Sequence, residues 1–211
     1  MVTCKTWLLV AAEQREFDGI LKRFGGFKKL DWAAEFAAES AWNGDRWWMI
    51  ANGPGAQLVE QALEKRDKRV DLDGIVSTGF CGALSPDLRV GDIVREVTNA
   101  DSVIVTAAAK RALRERTAGA AVDMESAAIA KIAAAWNVPF HCVRAVSDLA
   151  SEDLPLDFNL YRDTEGRFSR KRIALAAMRR PFTAVPALLR LDRNCRVAAE
   201  SLGDFFAHCR L

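Results

Sequence analysis

Short apolar runs alternate with helix-patterned stretches from Thr6 to Val146, and this alternation constrains the fold more than any other feature of the chain. The runs at 6–11 and 140–146 read as buried strands covered on both faces, and 74–78 as a short β-branched strand. Further strands are predicted at 42–51 (around a turn at Asn43-Gly44-Asp45), 90–97 and 103–106. Helices are predicted at 15–24, closed by Gly25-Gly26, at 56 to about 68, and at 107–116 and 123–136. This order predicts an α/β protein, a three-layer α/β/α sandwich with a mixed central sheet. Two more helices follow a polar stretch, at 171–179 and 184–206, within a C-terminal helical region reaching about 208. The second helix carries Leu188, Leu191, Cys195, Ala198 and Leu202 at helical spacing. No repeat, linker or low-complexity tract divides the chain, so one domain over 1–211 is expected.

Composition narrows the partners. Net charge is only +2, which gives no global field for nucleic acid or a membrane surface. Five cysteines lie at no CxxC spacing and there are only two histidines, His141 and His208, so neither a disulfide framework nor a metal site is expected. No run approaches the ~18 apolar residues of a membrane span. The apolar start, which leads into Glu13 and Arg15, is too short for a signal sequence. A cytoplasmic protein is the expectation.

Two acidic motifs stand out: Ala121-Val122-Asp123-Met124-Glu125-Ser126 and Arg144-Ala145-Val146-Ser147-Asp148. The first is predicted at the start of a small-residue helix. The second places Asp148 where a buried strand meets its loop, the usual position of ligand chemistry in α/β sheets. Carboxylates this close to apolar runs need a polar partner.

These motifs belong to an ordered set. Gly74-Ile75-Val76-Ser77-Thr78-Gly79-Phe80-Cys81-Gly82-Ala83 leads to Leu88-Arg89-Val90-Gly91-Asp92-Ile93-Val94, and the two acidic motifs follow in turn. The set resembles the nucleoside phosphorylase and nucleosidase superfamily, most closely the 5'-methylthioadenosine/S-adenosylhomocysteine nucleosidases and the hopanoid-associated nucleoside phosphorylases. The resemblance implies cleavage of the N-glycosidic bond of a purine-type nucleoside, such as a 5'-substituted adenosine, by water or phosphate. It implies no metal or organic cofactor, phosphate serving only as co-substrate in a phosphorylase, and a homodimer or larger homo-oligomer. It also implies that the chain is shortened between about 93 and 122, where relatives carry more of the base pocket. A nucleoside-binding protein without activity on the same fold is the alternative.

The same resemblance assigns site residues. Asp148 matches the acid that meets the leaving base, with Ser147 bracing it. Glu125 matches the ribose-binding carboxylate, with Met124 on the sugar face and Asp123 in support. Glu16 is the candidate for activating water, and Glu13 competes for that role. Gly79, Phe80 and Gly82 would bring backbone close to the substrate, Phe80 standing where nucleosidases often carry serine. Plainer readings exist for each: a loop cap for Asp148 and Ser147, helix-start acids for Asp123, Glu125 and Glu16, and ordinary turns for the glycines. Cys81 reads as a packing residue, and Trp42, Trp47 and Trp48 as strand-edge or subunit packing. The basic residues from Arg162 through Arg170 to Arg196 read as a solvated face, although in a phosphorylase one of these arginines would enter the site, and no phosphate-binding arginine is evident on a glycine loop.

Overall fold

The computed structural model describes residues 4–64 and 71–209. In chain order the elements are β1 Thr6–Ala11, α1 Asp18–Phe24, β2 Lys28–Lys29, β3 Phe36–Trp42, β4 Asp45–Ala51, α2 Ala56–Glu64 and β5 Gly74–Ala83. There follow β6 Ile93–Val94, β7 Thr98–Asn99, α3 Ala107–Thr117, β8 Ala121–Asp123, α4 Ser126–Ala135, β9 Phe140–Asp148, α5 Arg170–Met178 and α6 Ala184–His208. The strands form one sheet in the order β2-β3-β4-β1-β5-β8-β7, with β9 pairing β5 and β6. The central strands β4, β1, β5 and β9 are parallel, while the β2-β3-β4 edge and the β5-β8 and β6-β9 pairs are antiparallel. The sheet is therefore mixed, as its sequence pattern predicts.

Alternation along β1 shows why its run is apolar throughout. Trp7, Leu9 and Ala11 pack against α1 and α6, while Leu8 and Val10 pack against α2 and α4. Each fully buried Leu or Ile contributes ~1.5–3 kcal/mol. The helix crossing that closes the first layer depends on glycine: a Cβ on Gly19 of α1 would run into the Ala199 carbonyl of α6. Two aromatic stacks, Trp7 on Trp47 and Phe24 on Trp42, fill that side, so Trp42 and Trp47 are interior packing. Trp48 lies in the opposite layer, edge-on to Trp32.

Several boundaries differ from the sequence expectation. The 42–51 run is a hairpin arm, with β3 extending upstream to Phe36 and Asn43 in the left-handed region that its turn needs. β5 does not end at Gly79 but continues to Ala83 with a bulge at Cys81/Gly82. The 90–97 run shrinks to β6, and residues 103–106 form no strand. The helix expected from Asp123 starts at Ser126, and Asp123 closes β8 instead. The helix from Ala56 is described to Glu64, and the rest of its expected length, to about 68, lies outside the described residues. Among the described residues no helix is long and apolar enough to cross a membrane.

Candidate active site

Sheet register creates the site. β1 pairs with β5 only as far as Val10 and Ser77, whereas β5 runs on and meets β8 at Gly82 and Ala83. A gap opens between the end of β1 and β8, on the side where the parallel strands end. Into it opens a cavity of about 600 Å³, a volume suited to a nucleoside-sized ligand. Its floor is Ala12, Phe80, Gly82, Asp123 and Asp148, and its far wall includes Phe158, Phe168, Ile173, Leu188 and Leu191. One side is thus acidic backbone-rich sheet and the other apolar helix and loop.

Arg144 organises the acids. It is fully buried on β9, with Nη2 2.8 Å from Asp123 Oδ2 and Nη1 3.3 Å from Glu125 Oε2. Nη2 also donates to Ser77 Oγ at 2.8 Å and Nη1 to the Phe80 carbonyl at 3.3 Å. Burial alone would lower its pKa, but the carboxylates of Asp123, Glu125 and Glu16 more than reverse that and hold it above the usual arginine range.

Asp123 and Glu125 divide the work at the start of α4. Asp123 Oδ2 accepts from the Ser126 amide at 3.0 Å and pairs with the Ser126 hydroxyl, so Asp123 caps the helix. Its Oδ1 is buried without a hydrogen-bond partner among the described residues. Glu125 stands at the cap position but makes no cap bond, and its Oε1 accepts from the Gly55 amide at 2.8 Å instead. Burial raises the Glu125 carboxyl above its ordinary range, against the pull of Arg144. Met124 lies beside it, its Sδ 3.8 Å from Arg162 Nη2, and Arg162 also bonds the Pro54 carbonyl at 3.3 Å.

Glu16 is buried, not exposed. Its Oε2 accepts from the Ala12 and Glu13 amides at 2.7 and 2.8 Å, and its Oε1 from the Phe80 amide at 2.7 Å. It caps its own helical turn, so it is a helix-start acid but not the exposed one of the plainer reading, and it also lines the cavity. Burial pushes its carboxyl up to about 7 despite Arg144 and the amides. Glu13, the competitor, lines the cavity as well but is tied to Arg15 by a 2.7 Å ion pair. Gly79 makes the Glu16 bridge possible: its φ is +122°, and a Cβ there would lie 2.5 Å from Glu16 Oε1.

Asp148 ends β9 and caps no helix. Its Oδ1 lies 2.9 Å from the Ser147 hydroxyl, which also reaches the Cys81 carbonyl at 3.2 Å. Gly82 sits close enough that a Cβ would come within 3.1 Å of Asp148 Oδ2. The unexpected partner is Lys110 of α3, 1% exposed, with Nζ 2.5 Å from Asp148 Oδ2. Its other protons go to the Leu149 and Glu152 carbonyls at 2.7 and 3.2 Å. In sequence, Ala107-Ala108-Ala109-Lys110-Arg111 reads as an exposed charged face. The available signal was the three-residue spacing of Lys110 to Leu113, the two buried positions of α3. Cys81 is buried with its thiol pushed well up by burial, which fits packing rather than nucleophilic attack.

Two arginines also line the cavity, Arg15, 5.8 Å from the Phe80 ring centroid, and Arg170 at the start of α5. Arg15 carried no mark in the sequence, whereas Arg170 belongs to the basic run from which a phosphorylase would draw an arginine into its site.

Sheet, gap and acid cluster together define a single-sheet α/β protein with a small-molecule cavity at its strand ends. The phosphorylase superfamily profile matches residues 97–178. It is 39% identical over 66 residues to a 5'-methylthioadenosine/S-adenosylhomocysteine nucleosidase of Shewanella frigidimarina, covering 31% of this chain and 29% of that protein. A nucleosidase of the same name from Shewanella sp. (strain W3-18-1) is 35% identical over 111 residues, covering 51% of this chain and 39% of the relative. The matched stretches therefore span well under half of these relatives. Among solved structures, the Helicobacter pylori nucleosidase of that name superposes with a TM-score of 0.70 at 14% identity, covering 96% of each chain. The futalosine hydrolase of the same organism superposes at 0.69 and 14%, covering 96% of this chain and 95% of that one. These likenesses carry the fold.

Proposed function

We propose that this chain cleaves the N-glycosidic bond of a purine-type nucleoside, with a 5'-substituted adenosine as the substrate class. The observation that carries the reading is the pairing of a buried Asp123–Arg144–Glu125 cluster with the separate Asp148–Lys110 pair across one cavity. One cluster suits a ribose and the other a departing base. Glu125 holds the ribose hydroxyls, Met124 packs on the sugar, and the unpartnered Asp123 Oδ1 takes a donor from the ligand. As the bond from C1' to the base nitrogen breaks, its electrons pass to the base and positive charge spreads over the ribose. The nearby carboxylates stabilise that charge more than they stabilise the neutral substrate. The proton for the base comes through the Lys110–Asp148 hydrogen bond, with Ser147 orienting the carboxylate.

Water is the nucleophile in this reading: its oxygen bonds C1' and its proton goes to Glu16. A carboxyl pushed up to about 7 suits that exchange. The rate should therefore climb as pH rises through about 7, where Glu16 ionises, and Glu16→Gln should lack that ascending limb. An unchanged pH–rate profile in the Gln variant would move the role to Glu13. Stability runs the other way. The folded pKa is raised, so the contribution of Glu16 is full below its ordinary value of 4.5 and is lost as pH rises through about 7.

Lys110→Met should lower base release about tenfold. It should also cost roughly 1–3 kcal/mol of stability, a modest loss because Asp148 borders the cavity and water can reach it. Steady-state rates across pH 5–9, read beside thermal melts, check this. A full-rate variant would leave Lys110 a purely structural residue.

The short segment 93–122 brings Ser102, Val103, Ile104, Lys110 and Val122 to the cavity, so base selectivity rests on few side chains. Phosphorolysis is the second reading, favoured by Arg15 and Arg170 in the lining. Purine nucleosides incubated with and without phosphate, following free base, decide between them. Release without phosphate means hydrolysis; release only with phosphate means phosphorolysis. No release, with a melting temperature raised by nucleoside, means a binding protein. A cytoplasmic homo-oligomer is the setting we propose, in keeping with five free cysteines.

A further inference from the structure

The outer face of α5 and the turn after it carry apolar side chains that nothing among the described residues covers. Leu175 is 64% exposed, Met178 67% and Phe182 93%, at spacings that align them along one side of the helix and its continuation. Leu160, 65% exposed, is tied to this face because Arg172 donates to the Leu160 carbonyl at 3.0 Å. Cations flank the strip in sequence. From Phe168 to Leu191 the sequence holds Arg170, Lys171, Arg172, Arg179, Arg180 and Arg190, and no acid at all. Lys171, Arg179 and Arg180 have no carboxylate partner among the described residues. Three of the cations crowd the first turn of α5, at the positive end of the helix dipole, where an anion would be favoured and a cation is not.

We propose that this face docks on an anionic lipid surface, with the apolar side chains entering the interface and the flanking cations meeting headgroup phosphates. Bulky apolar residues on one side of a helix, bracketed by Lys and Arg and without acids, are what interfacial binding requires. A second copy of the chain is disfavoured as the occupant. In a two-fold contact the same patch meets itself, which would set this cation cluster against its own image. The surface adjoins the cavity, since Ile173 and Leu188 line it from the inner sides of α5 and α6. The proposal does not depend on the reaction assigned above.

Co-sedimentation of the full chain with phosphatidylcholine vesicles, with and without 30 mol% phosphatidylglycerol, tests it. Binding should increase at least tenfold with the anionic lipid and fall steeply in 0.5 M salt. Met178→Ser with Phe182→Ser should cut it about tenfold, and so should Arg179→Glu with Arg180→Glu, with melting temperatures unchanged. Wild-type protein that stays in the supernatant overturns the proposal. So does binding that survives the serine pair, which would be purely ionic. So does a serine pair that turns a dimer into a monomer in sedimentation velocity without lipid binding, which would make this face a subunit contact.

Discussion

Asp148→Asn is expected to reduce base release by about 10²–10⁴-fold while leaving the fold and nucleoside binding in place. Asparagine keeps the shape of the side chain: its carbonyl can still accept from Lys110 Nζ, while its NH2 turns to donate to the Ser147 hydroxyl oxygen. What it cannot do is take up and return the proton that the departing base needs. The variant should therefore show a collapsed kcat, with nucleoside still raising its melting temperature by an amount close to that of the parent. Base release is followed by absorbance, binding by thermal shift. Parental turnover would remove Asp148 from the chemistry and leave the Lys110 pair a strut between α3 and β9. Loss of both turnover and ligand-induced stabilisation would place Asp148 in binding instead.

Arg144→Met should be the most destabilising single change in the site, about 3–5 kcal/mol, because it strips the cation from three buried carboxyls. For a chain of this size that is a fall in Tm of roughly 6–20 °C. The loss should depend on pH. Burial already raises Glu16 and Glu125, and without the guanidinium both would rise further. Groups with raised folded pKa values are stabilising while protonated and lose that contribution as pH increases. The deficit should therefore be smaller at pH 5 than at pH 8. Melting curves at the two values check the sign, and an equal deficit at both would mean the carboxyls do not feel Arg144.

The sequence was informative where a residue's role follows from its neighbours in the chain. The apolar run of β1 and the acid at the end of β9 were both legible, since burial on two faces and a strand-end polar residue leave local marks. The acidic motif at 121–126 was legible as a candidate site but not as a shape: Asp123 closes a three-residue strand, too short to show a period. Lys110 left only a faint mark, its three-residue spacing to Leu113. Its partner lies 38 positions away, and a lysine among alanines has the same composition on a solvent face as in a buried pair. Arg15 escaped for the same reason, because the cavity joins chain segments that the sequence keeps far apart.

The carboxylate of Glu16 spans from the end of β1 to the middle of β5, and it passes over the bare α-carbon of Gly79. Residues 16 and 79 are consequently one unit of variation rather than two. Gly79→Ala should damage the parent by forcing the carboxylate off the Phe80 amide, on top of the backbone strain at φ +122°. In a Glu16→Ala background only the strain remains, so the two substitutions should together cost less than the sum of their separate effects. A lineage could then replace the glycine cheaply only after the acid had gone. The glycine at 79 thus serves as a record of whether position 16 still carries its charge.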